Sequence, residues 1–304
     1  MGVARMYGAE VPPSSSKATQ DTATGMSSWK PLATTDIDGI RVHDSGSGER
    51  ATVLLHGLGN SLDYWTAVSP LLSTSRRVIA PDIPGFGLSR RPGSFDLDSI
   101  SGSILQTLLG LGISEFELVG HSMGGLVALA IAAAHPTRVA RLSLLDACIP
   151  TAVSILNQPA KALQHLGVAA NLLAQFAGGL IPLGRLGAEA LGRSADLRAI
   201  ALWPFVHRPR MLQGELVAIA LRNNGGLGGL DAARIASSVD YMKLLAGVPV
   251  PTYLLSGAHD RLIHGSDACV CSEVLDVRSS ISLSDCGHWP MLEFPWATAE
   301  FLLG

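Results

Sequence analysis

The stretch Phe116-Glu117-Leu118-Val119-Gly120-His121-Ser122-Met123-Gly124-Gly125-Leu126-Val127-Ala128 decides the fold. Its first part is a short apolar run that predicts a strand over Phe116–Val119. Its last part opens an alanine-rich segment that predicts a helix over Met123–Ala134. Between them stands a G-x-S-x-G pattern, Gly120 to Gly124. A serine on so sharp a turn packs against its own backbone, and Gly120 and Gly124 remove side chains that would clash there. The turn lifts the Ser122 hydroxyl beyond the strand end. It also places the Met123 amide at a helix N-terminus, where negative charge is stabilised. In a chain with 33 glycines the pattern alone is weak; the strand before it and the helix after it give it meaning.

Outward from this turn the same order repeats. Apolar runs predict strands at Ile40–Val42, Thr52–Leu55, Val78–Ala80, Leu142–Leu145, Thr252–Leu255 and Ile281–Leu283. Most are apolar on successive residues, as in strands buried on both faces of a parallel sheet. Helices are expected at Asp63–Leu72, Asp96–Leu111 and Trp296–Leu303. The fold class is therefore α/β, with a mostly parallel central sheet and helices on both faces. The order breaks after Asp146. About a hundred residues then read as helix and glycine loop, too long for a plain connection. Helices are expected there at Ala160–Phe176, Ala188–Arg193 and Leu212–Arg222, with a loop or hinge over Asn223–Gly229. The chain thus divides into a poorly ordered N-terminal tail (1–35), an α/β core (36–148 and 248–304) and a helical cap insertion (149–247).

Three further motifs follow predicted strands. His56-Gly57-Leu58-Gly59-Asn60 follows Thr52–Leu55. The oxyanion of an acyl-transfer intermediate needs two preorganised donors, and the Leu58 and Met123 backbone amides are the natural pair. His56, Gly57 and Gly59 shape that loop, and His121 neighbours the nucleophile. Ser256-Gly257-Ala258-His259-Asp260 and Asp285-Cys286-Gly287-His288-Trp289-Pro290 complete the set. A serine hydroxyl needs a base to take its proton. His288 fits that role, and Asp260 fits the role of orienting it. All three side chains fall at strand C-terminal ends, where open α/β sheets place their sites.

The chain order Ser122, Asp260, His288 resembles that of the α/β-hydrolase superfamily, in its capped single-domain branch. Pro81-Asp82-Ile83-Pro84-Gly85-Phe86-Gly87 and Trp65 also resemble that branch, and the likeness spans Ile37 to Leu303. The resemblance implies an α/β-hydrolase fold with a cap after the sixth strand. Esterases, lipases, cofactor-free perhydrolases and carbon–carbon bond hydrolases share the branch. Two points depart from it. His264 stands where many relatives carry proline, and Asp146 is an alternative acid, because some relatives take theirs from the end of the sixth strand. Epoxide hydrolases and haloalkane dehalogenases of this fold use an aspartate nucleophile; position 122 is serine.

Composition narrows the rest. The chain has 304 residues, of which 47% are hydrophobic and 15% charged, as in a folded protein with a large core. A net charge of -3 gives no basic excess for nucleic acid. Ala162–Gly184 carries no charged residue, but its His165, Asn171, Gln175 and Pro182 argue for a greasy cap over a transmembrane span. Cys148, Cys269, Cys271 and Cys286 have no metal-ligand spacing, and no H-E-x-x-H occurs. No metal or cofactor is expected. Without a signal-peptide pattern, and with separate thiols, a cytoplasmic location is expected. The expectation is a serine hydrolase cleaving an ester or related acyl bond of a small, hydrophobic substrate, with Trp203, Phe205 and Met211 as candidate pocket lining. A carbon–carbon hydrolase, perhydrolase or lyase on the same triad is the alternative, and a ligand-binding receptor of this fold is a third.

Overall fold

A computed structural model describes residues 28–304 except 49, 181, 182, 226 and 227. The first part of the chain forms β1 (Thr35–Ile37), β2 (Ile40–Ser45), β3 (Ala51–Leu55), α1 (Ser69–Leu72), β4 (Arg77–Pro81), α2 (Leu97–Gly110), β5 (Phe116–His121), α3 (Met123–Ala134) and β6 (Val139–Leu145). Seven helices follow: α4 (Pro150–Asn157), α5 (Leu166–Leu180), α6 (Gly184–Arg193), α7 (Ala195–Ala201), α8 (Gly214–Leu221), α9 (Gly228–Ser238) and α10 (Tyr241–Ala246). The chain then returns to the sheet with β7 (Thr252–Gly257), α11 (Asp267–Val274), β8 (Val277–Leu283), α12 (Pro290–Glu293) and α13 (Pro295–Leu303). The eight strands lie in the order β1-β2-β4-β3-β5-β6-β7-β8. β1 pairs antiparallel with β2, and β2 with β4; the other pairs are parallel.

The sheet is buried on both faces because its central strands carry apolar residues at successive positions, such as Val53-Leu54-Leu55 and Leu118-Val119. Successive side chains of a strand point to opposite faces. Val53 and Leu55 of β3 therefore pack with Leu118, Leu142, Ile104 of α2 and Leu126 of α3. Leu54 packs on the other face with Val119, Leu145, Trp65 and Leu302 of α13. The topology also fixes the site. β3 and β5 are neighbours, so the loops that follow them lie side by side. β6 separates β5 from β7, so Asp146 sits between the Ser122 turn and the Asp260 loop.

Several elements differ from expectation. β1 was not legible: it has three residues, mostly exposed, and no apolar run. Counting it makes the strand before the insertion the sixth. The helix expected over Asp63–Leu72 is a 3₁₀ turn, Leu62–Trp65, followed by the short α1. A helix running through would lose a backbone bond at Pro70. The helix expected from Ala160 is broken into a 3₁₀ turn, Pro159–Leu163, and α5. The Gln164 and His165 amides bond back three residues rather than four, so the α ladder does not cross them. β8 starts four residues early, because its first half carries polar residues on the sheet edge. Residues 1–27 of the expected tail lie outside the described residues. Its inner end is not loose: Trp29 is buried, and its amide donates to Glu215 of α8 at 3.0 Å. Of the expected loop after Asn223, residues 226 and 227 are not described, Gly225 donates to the Gly59 carbonyl at 2.7 Å, and α9 starts at Gly228. No described helix is long and apolar enough to cross a membrane.

One charged network ties the insertion to the core. Asp63 is fully buried and accepts from both Arg41 Nη atoms at 3.0 Å, from Arg222 at 2.8 Å and from Asn223 at 2.7 Å. Arg41 also pairs with Asp82, whose carboxylate caps the Leu62 and Leu88 amides. Burial raises the Asp63 pKa, but the Arg41, Arg222 and Asn223 bonds overcome it and hold the carboxyl below its usual range. A depressed carboxylate contributes stability above its unfolded pKa, and that stability is lost as pH falls through the folded value. Asp63→Ala leaves Arg41 buried without its main partner and should cost about 3–5 kcal/mol by urea denaturation at neutral pH. The difference from wild type should shrink in acid. A cost below about 1 kcal/mol would contradict the network's role.

Candidate active site

Ser122 follows β5 with φ 51° and ψ -122°, a backbone conformation that costs a non-glycine residue about 1–3 kcal/mol. The surroundings hold it there. Its amide donates to the Leu145 carbonyl at 3.0 Å, and its carbonyl accepts the Gly125 amide at 2.8 Å. A Cβ on Gly124 would lie 2.4 Å from the His56 carbonyl oxygen and 2.6 Å from that of Leu55. The nucleophile turn and the loop after β3 thus touch backbone to backbone, which only glycine permits. Met123 is the first residue of α3, so its amide is one of the free donors at a helix start. Leu58, from the neighbouring loop, lines the same cavity as Ser122.

The three predicted side chains meet. Ser122 Oγ lies 2.9 Å from His288 Nε2, and His288 Nδ1 lies 2.6 Å from Asp260 Oδ2. The other Asp260 oxygen accepts the Leu262 amide at 2.7 Å and the Ile263 amide at 3.4 Å. Burial raises the Asp260 pKa, but the His288 charge, its hydrogen bond and the Leu262 amide outweigh burial and hold the carboxyl below its usual range.

The alternative acid is adjacent but differently engaged. Asp146 is buried with φ 43°, and one of its oxygens accepts the Gly257 amide at 2.9 Å. The other has no partner among the described residues. Burial and the neighbouring Asp260 charge push its pKa well above the usual carboxylate value. Two carboxyls this close disfavour ionising together, and the opposite directions favour the charge on Asp260 and the proton on Asp146. Among the described residues, Asp146, Asp260 and His288 are also the group whose potential metal-ligand atoms all lie within 4.8 Å of one another. Their closeness is accounted for by the Asp260–His288 bond and by the pairing of β6 with β7, where Asp146 bonds the Gly257 amide.

Two further histidines, His56 and His121, are braces. His56 Nε2 accepts the Ile83 amide at 2.9 Å, and its Nδ1 donates to the Gly57 carbonyl at 2.9 Å, which requires a neutral ring. Burial lowers its pKa accordingly. His121 does more than neighbour Ser122. Its Nε2 donates to the His288 carbonyl at 2.7 Å, so it braces the base loop. Burial, and then the nearby His288, lower its pKa to about 3.

The cavity at Ser122 has two lobes. One, about 50 Å³, is lined by Met123, Leu126, Val153, Leu156, Leu172 and Phe176. The other, about 160 Å³, adds Asn60, Tyr64, Phe205, Asn224 and Trp289. The Tyr64 hydroxyl and Asn224 Oδ1 are buried without a partner among the described residues. Of the three lining residues expected from the insertion, Phe205 lines the cavity. Trp203 and Met211 do not; they are 55% and 77% exposed. Apolar character cannot tell a pocket wall from the outer face of a helical layer. Tyr64, Asn60 and Asn224 were missed because polar side chains at loop ends carry no periodic signal.

The sequence profile of the alpha/beta hydrolase fold matches residues 52–295. Pimeloyl-[acyl-carrier protein] methyl ester esterase of Aromatoleum aromaticum is 31% identical over 255 residues, 80% of this chain and 92% of that one. 2-Hydroxymuconate semialdehyde hydrolase of Pseudomonas sp. is 44% identical over 114 residues, 35% of this chain and 40% of that one. Such local matches of higher identity span 27% to 40% of those relatives' length. A crystal structure of a meta-cleavage product hydrolase superposes with a TM-score of 0.67 at 23% identity, over 90% of this chain and 98% of that one. With the profile covering most of its length and the sheet order described above, the chain belongs to the alpha/beta hydrolase fold family.

Proposed function

We propose that the chain is a serine hydrolase that cleaves a small ester through an acyl-enzyme, with Ser122 as nucleophile, His288 as base and Asp260 as acid. The observation that carries this reading is the line of bonds from Asp260 through His288 to Ser122, ending in a two-lobed cavity. His288 Nε2 takes the hydroxyl proton as Oγ attacks the carbonyl carbon. The Leu58 and Met123 amides receive the oxyanion. The imidazolium then gives its proton to the leaving alcohol. Water attacks the acyl-enzyme by the same route, and the acid is released. Asp260 stays ionised and stabilises the imidazolium. The inserted helices act as a cap, since α4 and α5 line the small lobe and α6–α8 the larger one.

The lobes suggest the substrate class. The small lobe takes a short apolar group. The larger one takes a group that bonds the Tyr64 hydroxyl and Asn224. The full-length likeness to a methyl ester esterase supports ester cleavage. A p-nitrophenyl series from acetate to decanoate tests it. The short apolar lobe should give a gain of about fourfold in kcat/KM per methylene at first, since each buried methylene contributes about 0.8 kcal/mol. The gain should reverse before decanoate. Absence of turnover on every ester would sink ester hydrolysis. A second reading, carbon–carbon cleavage, is favoured by the local match to 2-hydroxymuconate semialdehyde hydrolase and by the unpartnered Tyr64 hydroxyl and Asn224 Oδ1 in the larger lobe. It would take the lead if that semialdehyde were turned over faster than every ester.

A further inference from the structure

The base loop, Asp285–Trp289, lies outside any strand or helix, yet each amide from Gly287 to Trp289 is claimed. The claimant for two of them is Glu293, at the end of α12. Its Oε1 accepts the Gly287 amide at 2.9 Å, the Trp289 amide at 3.4 Å and the Cys286 thiol at 3.7 Å. Its Oε2 reaches into the insertion and accepts the His207 amide at 2.9 Å. Two residues before His207, the Phe205 carbonyl accepts the amide of His288 itself at 2.7 Å. The Phe205 ring stacks on Trp289 with centroids 5.1 Å apart, and both rings line the larger lobe beside Ser122. A Cβ on Gly287 would lie 2.7 Å from both the His207 nitrogen and the Phe205 oxygen. Arg208 pairs with Asp285 at 2.6 Å, and Arg261 of the acid loop holds the Trp203 and Val206 carbonyls. Base loop, acid loop and pocket wall are one bonded unit, and Glu293 is the group that grips two of its parts.

We propose that Glu293 is a positioning residue: its ionised carboxylate seats His288 and fixes the Phe205 wall of the substrate cavity together, so that protonation loosens the wall. The proposal rests on the triad reading above. Gly287 and Trp289 share Oε1, whereas His207 alone uses Oε2. A proton on Oε2 would set an O–H against the His207 N–H and release the wall, while Oε1 kept the base loop. The alternative, a proton on Oε1, would free two base-loop amides at once.

Glu293 is poised for this. Burial pushes its carboxyl up to about 7, against the amides of His207, Gly287 and Trp289, which pull it down. The titratable groups around it do not share that position. Burial raises the Cys286 thiol well above its usual range, and burial with the Asp260 charge raises Asp146 well above its own. Asp260 is held ionised, and burial lowers the half-buried His207 ring. Arg208 and Asp285 form a pair on the solvent side. The sign follows from linkage. A carboxyl whose folded pKa is raised contributes stability fully below its ordinary value of 4.5, and that contribution is lost as pH rises through about 7. Ionisation therefore costs stability while it tightens the clamp.

The test compares Glu293→Gln and Glu293→Ala on a p-nitrophenyl ester between pH 5.5 and 8.5. The glutamine keeps an acceptor for Gly287 and Trp289 but sets an N–H group against His207. It should raise KM about tenfold, the cost of one buried unsatisfied donor, and change kcat by less than about threefold. Its kcat/KM profile should lack one ionisation that the wild-type profile has near neutrality. The alanine should lose the base loop as well, with kcat down about a hundredfold, and glutamine should thus rescue kcat but not KM. Equal KM and identical pH profiles for wild type and Glu293→Gln would overturn the proposal. So would equal losses of kcat and melting temperature in both variants, which would mark a purely structural residue. If wild type turned over no ester, the triad reading would fail separately. Amide exchange would then decide: the protection factor of the His207 amide should fall at least about tenfold from pH 8 to pH 5.5 in wild type and stay level in Glu293→Gln. A level wild-type value would overturn the clamp.

Discussion

Ser122→Ala should lower kcat on the best ester by at least about ten-thousand-fold while KM stays within about threefold. The hydroxyl is the attacking atom in the proposed reaction, and removing it leaves only the oxyanion donors and binding to act on water. The substitution deletes one oxygen from a residue whose backbone is held by the Leu145 carbonyl and the Gly125 amide. The turn and its positive φ should therefore persist, and the melting temperature should hold within about two degrees, as for a change that alters stability by a few tenths of a kcal/mol. A steady-state assay paired with a thermal melt reads both. Equal activity in mutant and wild type would show that Ser122 is not the nucleophile. A large drop in melting temperature would mean that the lost rate reports misfolding.

The second large effect separates the two buried acids. Asp260→Asn should lower kcat by about a thousandfold to ten-thousandfold, because an amide presents no charge to the imidazolium and holds His288 in the wrong tautomer. Asp146→Asn should change kcat by less than about threefold, since burial and the Asp260 charge already favour the neutral form and its bond to the Gly257 amide survives in the amide. The two variants differ from wild type by the same atoms, so the contrast isolates charge. If Asp146→Asn were the damaging change and Asp260→Asn the mild one, the acid would have to be reassigned to the end of β6. The structure gives the reason for the expected order: Asp260, not Asp146, bonds His288 Nδ1, at 2.6 Å.

Much of this site was legible as local chemistry. The glycines around Ser122, the strand before it and the helix after it constrain one another within the one stretch Phe116–Ala134, and short-range sterics need no further context. The buried strands were legible for the same reason: Val53-Leu54-Leu55 and Leu118-Val119 are apolar on successive residues, which suits a sheet covered on both faces. What failed lacked a local signature. β1 is short and exposed, the Asp63 segment is set by a buried ion network, and Trp203 and Met211 are apolar residues on an outer surface.

The order of Ser122, Asp260 and His288 along the chain, and the two acids competing for one role, were written in the sequence. Which acid ionises was decided only in three dimensions. It depends on β6 lying beside β7, on the side-chain bond to His288, and on two carboxyls sharing one dry space in which a single charge is tolerated. The same holds for His121 and Glu293. Read along the chain, His121 is one residue of the G-x-S-x-G pattern and Glu293 stands outside every motif. Their work, on the His288 carbonyl and on the Gly287 and His207 amides, comes from backbone groups that folding brings within 3 Å across as many as 167 positions.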